Sequence, residues 1–448
     1  MGHRTVDFSG KCSWHLPPTL RRFSRYAETR MSLDVAIIGC GRIGLPLALA
    51  FADRGLKVIG VDNDEQRLGS ISSGQMPFEE PGAQDALDRA TSTGTIEWSS
   101  RVTDAAQADA IVITLGTPSF SHIEIDLRQI QSVLDDLLPV LREGQLLVLR
   151  STIAPGTTDF VAGYLRKHRD FEVGENIFVA HVPERIAAGK FFDEIGTLPC
   201  IVGGVGERSG DAAAKLVETL GAPIVQTSPI NAELAKIWAN ILRYTMFALP
   251  NRLMVECEQY DANVFEVIDL INRGYPRGGM ASPGMTAGTC LRKDFAFSEE
   301  RSNGPGMLLA VSRVNESVPL FIVDGLKTRL GSLEGRKVAV LGLAFKADTD
   351  DERDSLSHKL IRLLERELAD VSVHDPHVAT PTASFSEAII DADAVVIATD
   401  HTVLGGPDVL RAIIDGAKGE AIIADPWNSF DQNAVFASLS EIYAAQRA

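Results

Sequence analysis

The feature that most constrains the fold is a glycine-rich turn near the start of the chain. An apolar, β-branched run at 34–38 leads into Gly39-Cys40-Gly41-Arg42-Ile43-Gly44, a helical pattern follows over 45–54, and the next strand pattern ends in Asp62. Glycines at this spacing let the backbone approach a pyrophosphate closely, and an acidic residue about 20 positions on can bind the adenosine ribose hydroxyls. We therefore predict a parallel-sheet domain that binds NAD, which Asp62 favours over NADP because a carboxylate repels a 2′-phosphate. The alternative is a turn of the same shape that holds no cofactor.

Length and composition indicate a soluble globular enzyme of about two to three domains. Of the 448 residues, 45% are hydrophobic and 23% are charged, which is usual for this class. The formal net charge of -17 argues against a nucleic-acid partner, and no run is long and apolar enough to make a membrane a partner. The five cysteines are odd in number and lack CxxC spacing, which favours the reducing cytoplasm over a disulfide scaffold or a zinc site.

Changes of pattern divide the chain into four parts. Residues 1–30 carry scattered basic residues without an apolar core, so we expect a disordered leader, with an organelle-targeting peptide as the alternative. The α/β patterns over 31–229 and 331–448 predict two Rossmann-like doubly wound domains, joined by a central helical domain over 230–330. Within the helical part, 308–330 reads as one amphipathic helix that Pro319 either kinks or divides.

Small polar groups follow several predicted strands. Thr117, Ser151, Thr152 and Glu184 each come shortly after an apolar run. Because doubly wound folds bind ligands at the carboxyl ends of their parallel strands, we expect these side chains to line the site. Helix capping is the alternative for the threonines, and an exposed ion pair with Arg185 is the alternative for Glu184.

A polar stripe occurs in the first central helix. Over 231–240, helical spacing places Glu233, Lys236 and Asn240 on one face. Such a stripe usually faces solvent. The neighbouring positions are apolar nearly all round, so we expect this stripe to face a wet cleft.

A cysteine follows a run of small residues within 282–294. Gly284 and Gly288 let the backbone approach a ligand, and Cys290 then precedes Lys293 and Asp294. The charge of the lysine favours the thiolate, the form that attacks carbon, and the carboxylate can orient a water or accept a proton. The alternative is a small, buried, apolar cysteine.

The last α/β segment has a charged loop in place of the glycine-rich turn. A strand pattern at 337–341 leads into the loop 342–353, in which Lys346 and Arg353 suit a phosphate ligand. A second sheet with its own ligand loop indicates a substrate that also carries a nucleotide. The alternative is a domain used only for dimerisation or capping.

With these motifs in order, the chain resembles the UDP-glucose/GDP-mannose dehydrogenase family, the NAD-dependent nucleotide-sugar 6-dehydrogenases, from about residue 33 to 430. The likeness rests on GCGRIGLPLA, STIAPGTT, VPERIAAGK, AELAKIWAN, SPGMTAGTCLRKD and GLAFKADTDDERDS. It implies an NAD cofactor and a homodimer or higher homo-oligomer built on the helical domain. It also implies oxidation of a nucleotide sugar, UDP-linked hexose or N-acetylhexosamine, at C6 to the uronic acid, through two hydride transfers and a cysteine thioester.

The resemblance also implies roles for individual side chains. Cys290 matches the nucleophile, while Lys236 and Asp294 match the pair that orients water and stabilises the developing alkoxide. Glu184 matches the base for thioester hydrolysis. The other catalytic matches are Thr152 and Asn240. The cofactor matches are Gly39, Gly41, Arg42, Ile43, Gly44, Asp62, Arg67, Thr117, Ser151, Lys293 and Arg353. The substrate matches are Glu184, Arg185, Ile186, Lys236, Asn240, Gly284, Phe345 and Lys346, with Arg273 or Arg277 reaching a neighbouring active site.

Three departures from the family pattern leave the sugar open. The usual GFGGxC reads GMTAGTC at 284–290, Ala188 stands where many members carry a glutamate, and a family arginine near the last strand is replaced within 425–428. Two rival functions remain at this stage. A two-domain β-hydroxyacid dehydrogenase would transfer one hydride per turnover, and a non-catalytic NAD sensor or scaffold would transfer none.

Overall fold

The computed structural model describes residues 33–116, 127–286, 288–299 and 306–445. The leader predicted at 1–30 and the predicted cofactor contact Thr117 lie outside the described residues. Leu33–Ala448 packs as one unit, and the division of the chain near 230 and 330 stays a prediction. None of the described helices is long and apolar enough to cross a membrane.

An eight-stranded sheet forms the N-terminal half of this unit. Its order is β3-β2-β1-β4-β5-β6-β7-β8, and every neighbouring pair is parallel except β6 and β7. The inner strands are apolar and buried because separate clusters of helix side chains cover the two faces of the sheet. The strands are β1 Leu33–Ile38, β2 Val58–Val61, β3 Ile96–Ser99, β4 Ala108–Ile113, β5 Leu146–Leu149, β6 Phe178–His181, β7 Cys200–Gly204 and β8 Ile224–Thr227.

The register of the sheet brings the predicted loops to one edge. Ile38 at the end of β1 lies opposite Val61 and Ile113, the last residues of β2 and β4. Leu149 at the end of β5 lies opposite His181, the last residue of β6. The loops that follow these strands therefore leave the sheet side by side. The helices of this half are α1 Gly44–Asp53, α2 Glu65–Ser72, α3 Ala83–Thr93, α4 Arg128–Leu137, α5 Thr157–His168, α6 Phe191–Glu194 and α7 Glu207–Glu218.

Four helices form the central part, and α8, α10 and α11 pack against one another. Helix α11 is continuous although it contains Pro319, so the alternative of a second helix beginning there is wrong. The proline removes the amide that would bond to the carbonyl of Asn315, one turn earlier. The helices are α8 Pro229–Gln259, α9 Val264–Asn272, α10 Thr289–Glu299 and α11 Met307–Leu330.

A five-stranded sheet forms the C-terminal part, with the order β10-β9-β11-β12-β13. All neighbouring pairs are parallel except β12 and β13. The two α/β sheets and the helices between them confirm the predicted fold class. The strands are β9 Lys337–Leu341, β10 Asp370–His374, β11 Ala394–Ile397, β12 Ile422–Ala424 and β13 Phe436–Ser438, and the helices are α12 Leu356–Arg366, α13 Phe385–Ile389, α14 Pro407–Gly416 and α15 Leu439–Ala445.

Direct contacts join the C-terminal part to the edge of the large sheet. Arg42, in the glycine-rich turn, forms an ion pair with Asp350 at 2.5 Å, and the amide of Glu79 donates to the same carboxylate at 3.0 Å. Lys346 Nζ donates to the carbonyl of Ala188 at 2.5 Å. Polar contacts therefore join the loop after β9 to the loops at the edge of the large sheet.

Candidate active site

The glycine-rich turn after β1 has the shape that a dinucleotide needs. A Cβ added at Gly44 would lie 1.8 Å from the carbonyl oxygen of Gly39, so only glycine permits α1 to pack this closely on β1. A Cβ added at Gly41 would meet nothing within 4 Å, so that position faces open space. Helix α1 begins after Ile43 without a side-chain cap. The open turn and the uncapped helix N-terminus fit a pyrophosphate.

Asp62 ends β2 beside this turn, as predicted for a ribose ligand. Its Oδ2 accepts hydrogen bonds from the amide of Cys40 at 2.6 Å and from Arg67 Nη1 at 2.9 Å. Burial and the charge of Asp62 raise the pKa of the Cys40 thiol, which disfavours the thiolate form. The structure thus brings together two predicted cofactor residues, Asp62 and Arg67.

Arg42 and Arg353, both predicted to contact the cofactor, are joined through the C-terminal loop. Arg353 donates to both oxygens of Asp351, at 2.8 and 2.7 Å. Arg42 Nε lies 3.4 Å from the same carboxylate, in addition to its pair with Asp350. Two cationic side chains thus flank the mouth of the glycine-rich turn.

The loop after β5 carries Ser151 and Thr152 and is held by the central helix. Glu233, from the predicted polar stripe of α8, is buried and accepts from the amides of Gly156 and Thr158, at 2.6 and 2.8 Å. It caps the start of α5 and does not face the cleft. Lys236 and Asn240, further along the same helix, are half-buried.

Glu184 forms a buried ion pair, but with Arg150 and not with Arg185. Arg150 Nη2 lies 2.6 Å from Glu184 Oε2, and both side chains are less than a tenth exposed. Glu184 Oε1 accepts from the amides of Arg185 and Ile186, at 2.7 and 2.8 Å. The side chain of Arg185 donates instead to the carbonyl of Pro199. The alternative of an exposed ion pair between Glu184 and Arg185 is therefore wrong. The Glu184 carboxylate instead accepts hydrogen bonds from three protein donors, one from Arg150 and two from backbone amides.

Asp294 lies one helical turn after Cys290 on α10 and is fully buried. Its Oδ2 accepts from Asn240 Nδ2 at 2.5 Å, and its Oδ1 is buried without a hydrogen-bond partner among the described residues. Burial raises the pKa of Asp294 above its ordinary value, against the opposing charges of Lys293 and Lys236. The structure therefore brings together Cys290, Asp294, Asn240 and Lys236 from two packed helices.

The side chain of Cys290 is exposed, so the alternative of a buried apolar cysteine is wrong. Desolvation by the surrounding protein and the charge of Asp294 raise the pKa of the thiol. Lys236, Lys293 and Arg353 act in the opposite direction. Lys293 therefore lowers the pKa of the thiol as predicted, but desolvation and Asp294 raise it by more. The thiol consequently holds its proton more strongly than an ordinary cysteine does.

The two predicted substrate contacts of the C-terminal loop lie against different segments, Phe345 against the residues before Cys290 and Lys346 against the loop after β6. A Cβ added at Gly288 would lie 2.6 Å from the ring of Phe345. Burial lowers the pKa of Lys346, with smaller effects from the charges of Arg243 and Lys190. Ala188, at the position of the expected family glutamate, contributes its backbone carbonyl to Lys346.

Arg273 and Arg277 are exposed on and after α9 and make local contacts. Arg273 pairs with Asp269, and Arg277 stacks on Tyr275 with its charge 4.7 Å from the ring centre. Their predicted reach into a neighbouring active site stays a prediction.

Three residues of the site region were missed by the sequence reasoning. Arg150 could have been found, because it ends the strand that leads into the STIAPGTT motif. Asn251 and Trp427, which contact the segment before Cys290, carry no local signal of that role.

A group of possible metal ligands lies at the carboxyl ends of the C-terminal strands. Ligand atoms of Asp348, His377 and His401 lie within 4.8 Å of one another. His401 Nδ1 accepts from the amide of Asp348, its Nε2 is bonded to Asp375, and the carboxylate of Asp348 accepts from Thr402. These bonds tie three loops together and occupy both ring nitrogens of His401, whereas His377 Nε2 is buried without a hydrogen-bond partner among the described residues.

The paired α/β domains, the dinucleotide turn and the cysteine cleft define an NAD-dependent dehydrogenase with a second nucleotide-binding domain. The chain belongs to the UDP-glucose/GDP-mannose dehydrogenase family, whose NAD binding domain matches residues 33–221, whose central domain matches 230–317 and whose UDP binding domain matches 339–432. It is an NAD-dependent enzyme that oxidises a nucleotide sugar to the uronic acid. The match to all three domains of this enzyme family argues against both alternatives, a two-domain β-hydroxyacid dehydrogenase and a non-catalytic NAD sensor or scaffold.

Several relatives are similar over most of their length. The UDP-N-acetyl-D-mannosamine dehydrogenase of Pyrococcus horikoshii is 33% identical over 376 residues, 82% of this chain and 90% of the relative. The NDP-N-acetyl-D-galactosaminuronic acid dehydrogenase of Ralstonia solanacearum is 31% identical over 82% of this chain and 90% of the relative. A solved structure of the Pyrococcus horikoshii UDP-D-ManNAc dehydrogenase superposes with a TM-score of 0.82 at 31% identity, covering 88% of this chain and 95% of that one. The Staphylococcus aureus UDP-N-acetyl-mannosamine dehydrogenase superposes with a TM-score of 0.80 at 30% identity, covering 89% and 95%.

Proposed function

We propose that the protein oxidises the C6 alcohol of a UDP-linked N-acetylhexosamine to the uronic acid, with Cys290 as the nucleophile. The observation that carries this proposal is the exposed thiol of Cys290 one turn from Asp294, which is bonded to Asn240 on the helix that carries Lys236. The relatives named for UDP-N-acetyl-D-mannosamine and for an N-acetyl-D-galactosaminuronic acid favour an acetamido sugar over a simple hexose. A UDP-linked hexose is the second candidate.

The side chains divide the work of two oxidations. Bound NAD supplies the hydride acceptor for each of them. The positive charge of Lys236 and the amide of Asn240 stabilise negative charge on the sugar oxygen as the alcohol becomes an aldehyde. The thiol of Cys290 then adds to the aldehyde carbon while its proton passes to the aldehyde oxygen, which gives a thiohemiacetal. Loss of a second hydride from that carbon and of the hydroxyl proton leaves a thioester on the cysteine.

Hydrolysis of the thioester needs a held water and a proton acceptor. Asp294 suits the second role because burial raises its pKa, so it holds a proton more readily than an exposed aspartate. Glu184, which the resemblance assigns as base, uses three protein donors of its roughly four acceptor directions. One acceptor direction of the Glu184 carboxylate remains for a hydrogen bond from a water. We therefore propose that Glu184 holds the water and stabilises the loop that follows β6.

NADH formation with a panel of nucleotide sugars tests this function. We expect UDP-N-acetylmannosamine or another UDP-N-acetylhexosamine to yield two NADH per sugar consumed, with UDP-glucose and GDP-mannose slower. A clear preference for UDP-glucose would move the assignment to the second candidate. If no sugar yields NADH while NAD still binds, the proposed function is wrong.

We further propose that the protein forms a homodimer through α8 and works in the cytoplasm. Helix α8 exposes a ridge of large apolar side chains, and such a ridge marks an interaction surface. The described cysteines are free thiols, as a reducing compartment allows. The ridge consists of Ile230, Leu234, Trp238, Leu242, Met246 and Leu249, each between 39% and 61% exposed.

Leu242→Glu tests the dimer. Leu242 is the most exposed member of the ridge at 61%, so a charge there would be buried without a partner in a dimer, at a cost of several kcal/mol. We expect the variant to sediment as a monomer at concentrations where the wild type is a dimer. Val403→Glu, which charges an exposed apolar residue of the C-terminal part, is the matched control. An unchanged sedimentation coefficient for Leu242→Glu would contradict the proposed interface.

A further inference from the structure

We propose that Trp427, a residue of the C-terminal part, is a positioning residue for Cys290. The inference rests on the proposed role of Cys290. It differs from a substrate contact, because Trp427 acts on the backbone segment that precedes the cysteine.

The indole ring of Trp427 lies directly on Gly284. A Cβ added at Gly284 would lie 2.3 Å from Cε3 and Cζ3 of the ring, so the ring occupies the place of any side chain there. The ring is itself held, because Trp427 Nε1 donates to the carbonyl of Ala398 at 3.3 Å and its amide donates to Asp425 at 3.2 Å. The indole ring is therefore held in place where it packs against Gly284.

The opposite side of the segment is held by buried amide side chains of the central helices. The amide of Gly284 donates to Asn251 Oδ1 at 2.8 Å. Asn251 Nδ2 donates to Asn315 Oδ1 at 2.9 Å, and Asn315 Nδ2 donates to the carbonyl of Tyr244 at 3.0 Å. Both asparagines are at most 1% exposed. Gly284 is thus clamped between a rigid polar chain and an aromatic ring.

The two sides of this clamp come from different parts of the chain, so the clamp couples those parts to the segment before Cys290. Asn251 and Asn315 lie on α8 and α11, whereas Trp427 follows β12 at the carboxyl end of the second sheet. Phe345, after β9, lies against Gly288 and also belongs to the C-terminal part. Side chains of the C-terminal part therefore position the backbone at Gly284 and at Gly288, just before α10. A shift of the C-terminal part would consequently move the thiol of Cys290.

The chemistry predicts which step fails when the clamp is lost. The first hydride leaves the alcohol without help from the thiol, so an aldehyde still forms. Capture of that aldehyde requires the sulfur of Cys290 within bonding distance of the sugar carbon. A displaced segment delays capture, and uncaptured aldehyde leaves the enzyme after one hydride transfer instead of two.

The test compares Trp427→Leu with Trp427→Phe, which keeps an aromatic ring, and with Phe436→Leu as a matched control. Phe436 also packs a C-terminal ring on a glycine of the central helices, since a Cβ at Gly325 would lie 2.2 Å from it, and Gly325 lies on α11 and not in the segment before Cys290. NADH per sugar consumed and aldehyde trapped by hydroxylamine are measured for each. Amide exchange of Gly284 and Thr286 is measured in the same proteins.

We expect Trp427→Leu to lower NADH per sugar from two towards one, with trapped aldehyde making up the difference and amide exchange about tenfold faster. Trp427→Phe should restore two NADH, and Phe436→Leu should keep two. A raised KM with two NADH per sugar and unchanged exchange would overturn the proposal, because it would make Trp427 a substrate contact. If the wild type yields no NADH, the proposed function fails, and the exchange comparison still decides whether Trp427 holds the segment.

Discussion

Cys290→Ser is expected to lower the rate of uronic acid formation by about a thousandfold or more, the usual cost of removing a covalent nucleophile. The serine hydroxyl is a far weaker nucleophile than a thiol at neutral pH, and its ester does not form at a useful rate. The NAD site should be unaffected, because its turn and Asp62 lie in the N-terminal α/β part, whereas Cys290 lies on α10 among the central helices. Acid formation is measured by chromatography of the nucleotide sugar, and NAD affinity by titration calorimetry.

The control for this prediction is Cys257→Ala, which removes a buried thiol near the end of α8. That variant should keep the wild-type rate of acid formation. Trapped aldehyde with Cys290→Ser would show that the first oxidation survives. Acid formation near the wild-type rate by Cys290→Ser would exclude the thioester route and leave Asp294 and Lys236 to act on a hydrated aldehyde.

Arg150→Met is expected to destabilise the folded protein by about 3–5 kcal/mol, because it leaves the buried carboxylate of Glu184 without its cationic partner. The change should appear as a lower melting temperature in calorimetry. The double variant Arg150→Met/Glu184→Gln should recover part of the loss, since the unpaired charge is then gone. Arg150 also donates to the carbonyl of Val182 at 3.3 Å, so recovery should be incomplete.

An exposed ion pair supplies the control for this comparison. Arg89 and Asp53 lie 2.7 Å apart, with Arg89 57% exposed, and Arg89→Met should cost only about 0–1 kcal/mol. Equal effects of Arg150→Met and Arg89→Met would show that the buried pair contributes no more than a surface pair.

Local sequence patterns predicted the parts of the fold that form from long apolar runs. The strands β1 and β9 and the helix α1 lie within two residues of the patterns at 34–38, 337–341 and 45–54 that predict them. Strands β3, β8 and β13 were not predicted, because they are short and mix polar with apolar residues, and β7 was not predicted because two of its five residues are glycine. Each is a strand only because a neighbouring strand already offers its hydrogen-bonding edge.

The sequence by itself determined the chemistry that this protein carries. The glycine-rich turn with Asp62 indicates a dinucleotide, Cys290 with Lys293 and Asp294 indicates a reactive thiol, and the second α/β pattern indicates a nucleotide on the substrate. These inferences need only the residue types and their spacing, since each motif is contiguous and its geometry follows from local backbone structure.

Only the tertiary structure decided which partner each of these groups has. Glu184 pairs with Arg150 across two strands and not with its neighbour Arg185, and Asp294 meets Asn240 across two helices. Gly284 meets Trp427 from the far end of the chain. Desolvation, which raises the pKa of Asp294 and of Cys290, likewise depends on every element packed around them. Partners far apart in sequence leave no local pattern, so packing alone assigns them.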